Sequence, residues 1–249
     1  MPLVPELTSY RPALKRIGHK GADALAPGNT PASFEAALRA GVDILEFDVL
    51  RLRDGRIVLA HDLDDAARRD PLSLDEGLDH LAGEAYAGLD LDVDLKVSGY
   101  EREVVEGLRA RGLVERSLVS SMFPQTIDLI GELAPDLRRG WSVPRVRRDY
   151  TLRRWAIPAF FGARVLRARL PAQAAAMLAA GRCEAVISHW MIVSPALLRA
   201  VHAAGGELWV WTVDDRLRVE ELAALGVDAI ITNDPRLFER AGPTIAGAA

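Results

Sequence analysis

Short apolar runs alternate with amphipathic stretches of about ten residues along almost the whole of this chain of 249 residues. Runs starting near residues 16, 43, 91, 117, 139, 184, 207 and 228 read as strands, the one at 139 being the least marked. Between them, residues 31–40, 101–111, 124–133, 171–180, 194–203 and 216–225 read as helices. Their ends carry the expected signals: Thr30 before Pro31 opens one, Ser194 caps another, and Gly41, Gly112, Gly181 and Gly226 close four. Mostly apolar strands separated by helices call for a parallel sheet with helices over it. Eight such units fit a closed (β/α)8 barrel, an α/β fold in one domain over residues 1–249. The rival, an open doubly wound sheet, lacks support because no Gly-x-Gly-x-x-Gly follows the first strand.

Charge interrupts the apolar strands at few places. Glu46 and Asp48 lie two apart in the run 43–49, so they project from one face while Phe47 projects from the other. Two like charges on one face of an apolar strand repel each other and are costly to bury, and a divalent cation relieves both problems. Ligation by oxygens suits Mg²⁺ or Ca²⁺ better than zinc. His19 follows the first strand, and His61 follows the run 57–60 beyond an Asp54-Gly55 hairpin turn. In a barrel, polar residues where strands end share the C-terminal rim, which is where the chemistry of such folds gathers. Two histidines there would supply a general acid and a general base near neutral pH. His61 is taken as the acid and His19 as the base, and the sequence leaves the reverse open. His80, His189 and His202 lack this context, although His189 follows a strand and could line a pocket.

The segment from residue 17 to 62 resembles the signature of the glycerophosphodiester phosphodiesterase family. That signature runs His-Arg-Gly, Pro-Glu-Asn-Thr, Glu-x-Asp and His-Asp; here it reads His19-Lys20-Gly21, Pro27-Gly28-Asn29-Thr30, Glu46-Phe47-Asp48 and His61-Asp62. The resemblance continues to about residue 235 through Trp211-Thr212-Val213 and the last strand, and is weak between 125 and 185. It implies the same barrel and a metal-dependent hydrolase acting on a glycerol-type phosphodiester. It makes Asp94 a third metal ligand, in place of the family's glutamate, and assigns phosphate contacts to Lys96 and Lys20. Asp92 breaks the family spacing to Lys96 and is the weaker candidate. Trp211 would line the pocket. Lys20 for arginine and Gly28 for glutamate depart from the pattern, and if that glutamate braces that arginine the two losses belong together. Cleavage of lysophospholipids by the same residues, with residues 155–161 as an apolar channel, is the second enzymatic reading. A barrel that binds phosphodiesters without turnover is the third.

Composition narrows the partners. A net charge of −4 among 31 basic and 35 acidic residues, with no basic stripe bearing interleaved aromatics, argues against nucleic acid. The seven arginines over residues 138–154 read as a solvated face. A single cysteine, Cys183, excludes an internal disulfide and a cysteine-based zinc site, and reads as a small semi-buried hydrophobe. No apolar stretch reaches membrane-spanning length and no signal peptide is visible, so a cytoplasmic enzyme of small-molecule diesters is expected. The oligomeric state is not legible.

Overall fold

The computed structural model describes residues 13–145 and 156–239, without the side chains of residues 156–163. Eight parallel strands close on themselves. They are β1 (Lys15–Gly18), β2 (Ile44–Arg51), β4 (Asp90–Leu95), β5 (Ser117–Ser121), β6 (Arg138–Val143), β7 (Ala185–His189), β8 (Glu207–Trp211) and β9 (Ala229–Thr232). The order β1-β9-β8-β7-β6-β5-β4-β2 is shut by a β1–β2 pairing, so the expected barrel forms. The short β3 (Ile57–Val58) is the return arm of the expected hairpin, antiparallel to the end of β2 and outside the barrel ring.

Helices α1 (Pro31–Arg39), α3 (Leu74–Leu81), α4 (Glu101–Ala110), α5 (Pro124–Leu133), α6 (Ala156–Ala179), α7 (Pro195–Ala203) and α8 (Arg216–Leu225) separate the strands, with the one-turn α2 (Leu63–Ala67) after β3. Thr30 accepts from the Ser33 amide in a capping box and Pro31 begins α1, as the sequence indicates. One helix runs longer than expected. A proline at 171 reads as a first-turn residue, yet α6 starts at Ala156 and passes through it. Packing overrides the lost hydrogen bond, because Leu170, Ala174, Met177 and Leu178 form one buried face across the proline. Beyond β9, Asp234 caps a single 3₁₀ turn, Pro235–Phe238.

The alternation along β2 and β4 divides two environments. Leu45, Phe47, Val49, Leu91, Val93 and Leu95 pack outward against α1, α3 and α4 in the largest apolar cluster. Each such burial contributes roughly 1.5–3 kcal/mol. The alternate residues Glu46, Asp48, Asp92 and Asp94 face the barrel interior in register, Glu46 beside Asp92 and Asp48 beside Asp94. Ile17, Ile44, Leu118, Ile187, Trp209 and Ile231 fill the interior elsewhere, with Trp211 against them. Cys183 is buried beneath α6, which pushes its thiol pKa up to about 12. Arg138 and Arg139 pair with Glu207 and Glu184, and Arg145 lies over the Phe123 ring. The other arginines of 138–154 lie outside the described residues. Among the described residues, no helix is long and apolar enough to cross a membrane.

Candidate active site

The C-terminal ends of β1, β2 and β4 carry the charged groups. Carboxylate oxygens of Glu46, Asp48 and Asp94 all lie within 4.8 Å of one another. Glu46 and Asp48 are buried and Asp94 is partly so. Asp92 sits deeper, accepts from Ser120 Oγ at 2.7 Å, and burial lifts its carboxyl to about 8. It stands apart from the three.

Lys96 lies over this cluster. Its Nζ is 2.5 Å from Asp94 Oδ2, to which it donates, and 2.5 Å from Asp48 Oδ1. Asp48 Oδ1 thus faces that ammonium, while Asp94 Oδ1 is buried without a donor among the described residues. Buried carboxylate oxygens seldom go unpaired. Three carboxylates, one buried oxygen left unpaired and no cysteine form a donor set fitted to a hard divalent cation. Without the cation, electrostatics drives the pair apart. Burial and the Asp48 charge push Glu46 well above the usual carboxylate range. Burial also works against Asp48, but the charges of Lys96, His61, His19 and Lys20 outweigh it and hold that carboxyl low.

Asn29 fixes Asp48 from behind. Its Nδ2 donates to Asp48 Oδ2 at 2.8 Å and its Oδ1 accepts from the Asp48 amide at 2.9 Å, in a fully buried contact. The sequence marked Asn29 only as part of the Pro27-Gly28-Asn29-Thr30 match. Its φ of 58° is uncommon for a residue with a side chain, a local strain of the kind that clusters at functional sites. The loop after β1 wraps Glu46 similarly: the Lys20 amide donates to Glu46 Oε2 at 2.7 Å and the Gly21 amide to the Glu46 carbonyl at 3.0 Å. At Gly21, φ is 83° and an added Cβ would stand 2.7 Å from Ser33, so only glycine fits.

His19 is largely buried at the end of β1. Its Nδ1 lies 2.6 Å from Asn233 Oδ1, just past β9, and its Nε2 is 3.9 Å from Glu46 Oε2. Burial first, then the Lys20 charge, lowers its pKa to about 4, so it is a neutral imidazole at neutral pH. His61 follows β3 and is half exposed, with Nδ1 3.2 Å from Asp62 Oδ2 and its amide donating to Asp65 Oδ2. It is close enough for its charge to act on Asp48.

Lys20 Nζ reaches Asp23 Oδ2 at 3.1 Å, while Asp23 Oδ1 accepts from the Gly28 amide at 2.8 Å. An acid thus stands against Lys20, three residues further along the chain. A Cβ at Gly28 would stand 2.7 Å from both Asp23 Oδ1 and Lys20 Cβ, so the bare glycine and the Lys20–Asp23 pair fit together. Trp211 lies half-buried at the end of β8, donating to the Ile187 carbonyl and meeting the His189 ring edge-on at 5.0 Å. The remaining histidines are structural: His202 pairs with Asp228, and His80 packs against Tyr86 and Phe34. The side chains of residues 155–161, expected to form an apolar channel, lie outside the described residues.

The sequence reading missed Asp23, Asn233 and its neighbour Asp214. The signal was present for the last two, since polar residues just past adjacent strand ends face the same rim as His19.

The sequence pattern of the Glycerophosphoryl diester phosphodiesterase family matches residues 19–95 and 99–237. A relative named glycerophosphodiester phosphodiesterase, from Caldanaerobacter subterraneus subsp. tengcongensis, is 24% identical over 88% of this chain and 93% of its own length. Among solved structures, a glycerophosphodiester phosphodiesterase from Agrobacterium tumefaciens superposes with a TM-score of 0.67 at 23% identity, covering 90% of this chain and 99% of that one. An Oleispira antarctica phosphodiesterase, solved in complex with the product sn-glycerol-3-phosphate, gives 0.66 at 22% identity over 89% and 94%. These likenesses concern the whole barrel.

Proposed function

The chain belongs to the glycerophosphoryl diester phosphodiesterase family, and from its rim chemistry we propose that it hydrolyses glycerophosphodiesters to glycerol phosphate and an alcohol with a divalent cation bound. The observation that carries this reading is the cluster of Glu46, Asp48 and Asp94, with Asp94 Oδ1 buried and unpaired among the described residues, beside His19. The Oleispira relative, with its glycerol phosphate product, supports the substrate class.

Glu46, Asp48 and Asp94 would hold the cation, which when bound supplies Lewis-acid polarisation of the phosphoryl oxygens and a template for the glycerol hydroxyls. The chain's own groups do the rest. Lys96 and Lys20 balance charge gathering on the phosphoryl oxygens; burial opposes the charge on both lysines, but the surrounding carboxylates raise their pKa and keep them cationic. His19, neutral and with Nε2 towards the carboxylates, takes the proton of the attacking hydroxyl as its oxygen bonds to phosphorus. As the bond to the departing alcohol breaks, His61 gives that oxygen a proton; its half-exposed ring can exchange protons with solvent. Attack by the neighbouring glycerol hydroxyl gives a cyclic phosphate, which water then opens with the proton roles reversed.

Phosphorus NMR with glycerophosphocholine, glycerophosphoethanolamine and lysophosphatidylcholine, each with Mg²⁺, Ca²⁺ or chelator, tests the proposal. Glycerol phosphate should appear only with metal and disappear in His19→Ala. A cyclic product from the lysolipid alone would move the activity to lysophospholipids. Bound metal without turnover of any substrate would leave only a binding barrel.

A further inference from the structure

Two polar residues beyond β8 and β9 are arranged around His19 in a way no packing role demands. Asp214 can only accept hydrogen bonds, and it accepts three: from Asn233 Nδ2 at 2.6 Å, from the Asn233 amide at 2.8 Å, and from Thr232 Oγ1 at 3.0 Å. With its amide nitrogen held by a carboxylate, Asn233 must turn its Oδ1 the other way, and that oxygen lies 2.6 Å from His19 Nδ1. An amide oxygen cannot donate, so the proton of this short bond sits on Nδ1. The Nε2 of a neutral ring then carries the lone pair. On that side Glu46 Oε2 stands 3.9 Å away, beyond hydrogen-bond reach, and among the described residues no hydrogen-bond partner holds Nε2. The backbone fixes the distance between the partners, because the His19 amide donates to the Thr232 carbonyl at 2.9 Å.

We propose that Asp214 and Asn233 are positioning residues that hold His19 in the Nδ1–H tautomer, with Nε2 aimed at the carboxylate cluster as the proton acceptor. This rests on the reading of His19 as the base and extends it to residues with no direct part in the chemistry. A ring nitrogen's tautomer is set by the partner of the other nitrogen, and here that partner is itself oriented by a third group. The side chains act in series: Asp214 orients the amide, and the amide orients the imidazole.

The chain of bonds has a distinctive symmetry. Exchanging the two residues, Asp214→Asn with Asn233→Asp, reverses the side-chain bond between them yet still presents an acceptor to His19 Nδ1. In the exchanged pair, the side-chain amide at position 214 would donate its Nδ2–H to the carboxylate at 233 and keep its Oδ1 for the backbone amide of 233. Asn233→Asp alone would instead set two carboxylates side by side.

The test is nitrogen NMR of the full chain labelled with ¹⁵N-histidine, in chelator, at a pH where imidazole is neutral. Wild-type His19 should show the proton on Nδ1. Asn233→Leu and Asp214→Leu should move it to a mixture of tautomers, and the reciprocal exchange should restore Nδ1–H. In parallel, turnover with metal should fall roughly 10- to 100-fold in kcat in the single variants, with KM little changed, and recover in the exchange. A purely structural role would lower stability without moving the tautomer. Persistence of Nδ1–H in folded Asn233→Leu, or failure of the folded exchange to restore it, overturns the proposal. The proposed function fails separately: a wild-type protein with the Nδ1–H tautomer and no diesterase activity would leave the positioning intact.

Discussion

Lys96 and the cation should compete for the same oxygens, and the consequence is measurable without substrate. The ammonium sits 2.5 Å from Asp48 Oδ1 and from Asp94 Oδ2 and is largely shielded from water. At that separation each charge pair is worth about 7 kcal/mol in the effective dielectric of a protein, before desolvation is charged against it. Breaking such a buried pair by removing one partner costs roughly 3–5 kcal/mol net, because the carboxylates are left uncompensated. For a chain of this length, where each kcal/mol moves the melting temperature by ~2–4 °C, Lys96→Met should melt roughly 6–20 °C below wild type in chelator. A divalent cation can take over the neutralisation. At a hundredfold excess over its dissociation constant it returns ~2.7 kcal/mol to any variant that binds it, and more to the one that binds it tighter. Lys96→Met has no ammonium to displace, so its metal-induced rise in melting temperature should exceed that of wild type. Thermal unfolding of both proteins with chelator, Mg²⁺ and Ca²⁺ reads this directly. An equal metal-induced shift in the two would refute the shared site.

Four further outcomes follow from the site. In metal-free protein His19 titrates near 4 in the fold against 6.5 when free. Between those values the unfolded chain binds a proton that the native state does not, so stability falls on acidification through that window by ~1.4 kcal/mol per pH unit. Denaturant unfolding of His19→Gln between pH 4 and pH 6.5 should show a flatter profile than wild type. Asn29→Ala leaves the buried Asp48 amide and Oδ2 without their partner and puts alanine at a φ of 58°. It should lose roughly 2–4 kcal/mol in unfolding experiments and weaken cation binding measured by calorimetry. Gly28→Ala places a methyl against Lys20 Cβ and Asp23, and should cost ~1–3 kcal/mol and lower turnover by displacing Lys20. Gly28→Glu should be no better, even with Lys20→Arg, because Asp23 already pairs with Lys20 and crowds that position.

The barrel was legible because its signal is a period. Strands such as β2 and β4 show their inward face as charge and their outward face as hydrophobics, and the caps at Thr30 and Ser194 mark helix starts without tertiary context. Glu46, Asp48 and His19 stood out for a related reason, as polar exceptions in or beside apolar strands whose ends converge on one rim, whereas Asp94 and Lys96 were singled out by the family resemblance. What escaped the sequence depends on chain segments meeting in space. Asp23 meets both Lys20 and the Gly28 amide only because the β1 loop folds back on itself. Asn29 grips Asp48 across nineteen positions of sequence. Asn233 reaches His19 from the far end of the chain because β1 and β9 are neighbours in the closed barrel. The start of α6 escaped for the opposite reason: a strong local signal, Pro171, yielded to a continuous buried face.

Calorimetric titration of Mg²⁺ and Ca²⁺ into chelator-stripped protein addresses the carboxylate cluster most directly. Wild type should bind one cation per chain, and Asp48→Asn, which keeps the shape and removes the charge, should bind none in the same range. Binding undiminished in Asp48→Asn, or no binding to wild type at all, would contradict the assignment of Glu46, Asp48 and Asp94 as the metal centre.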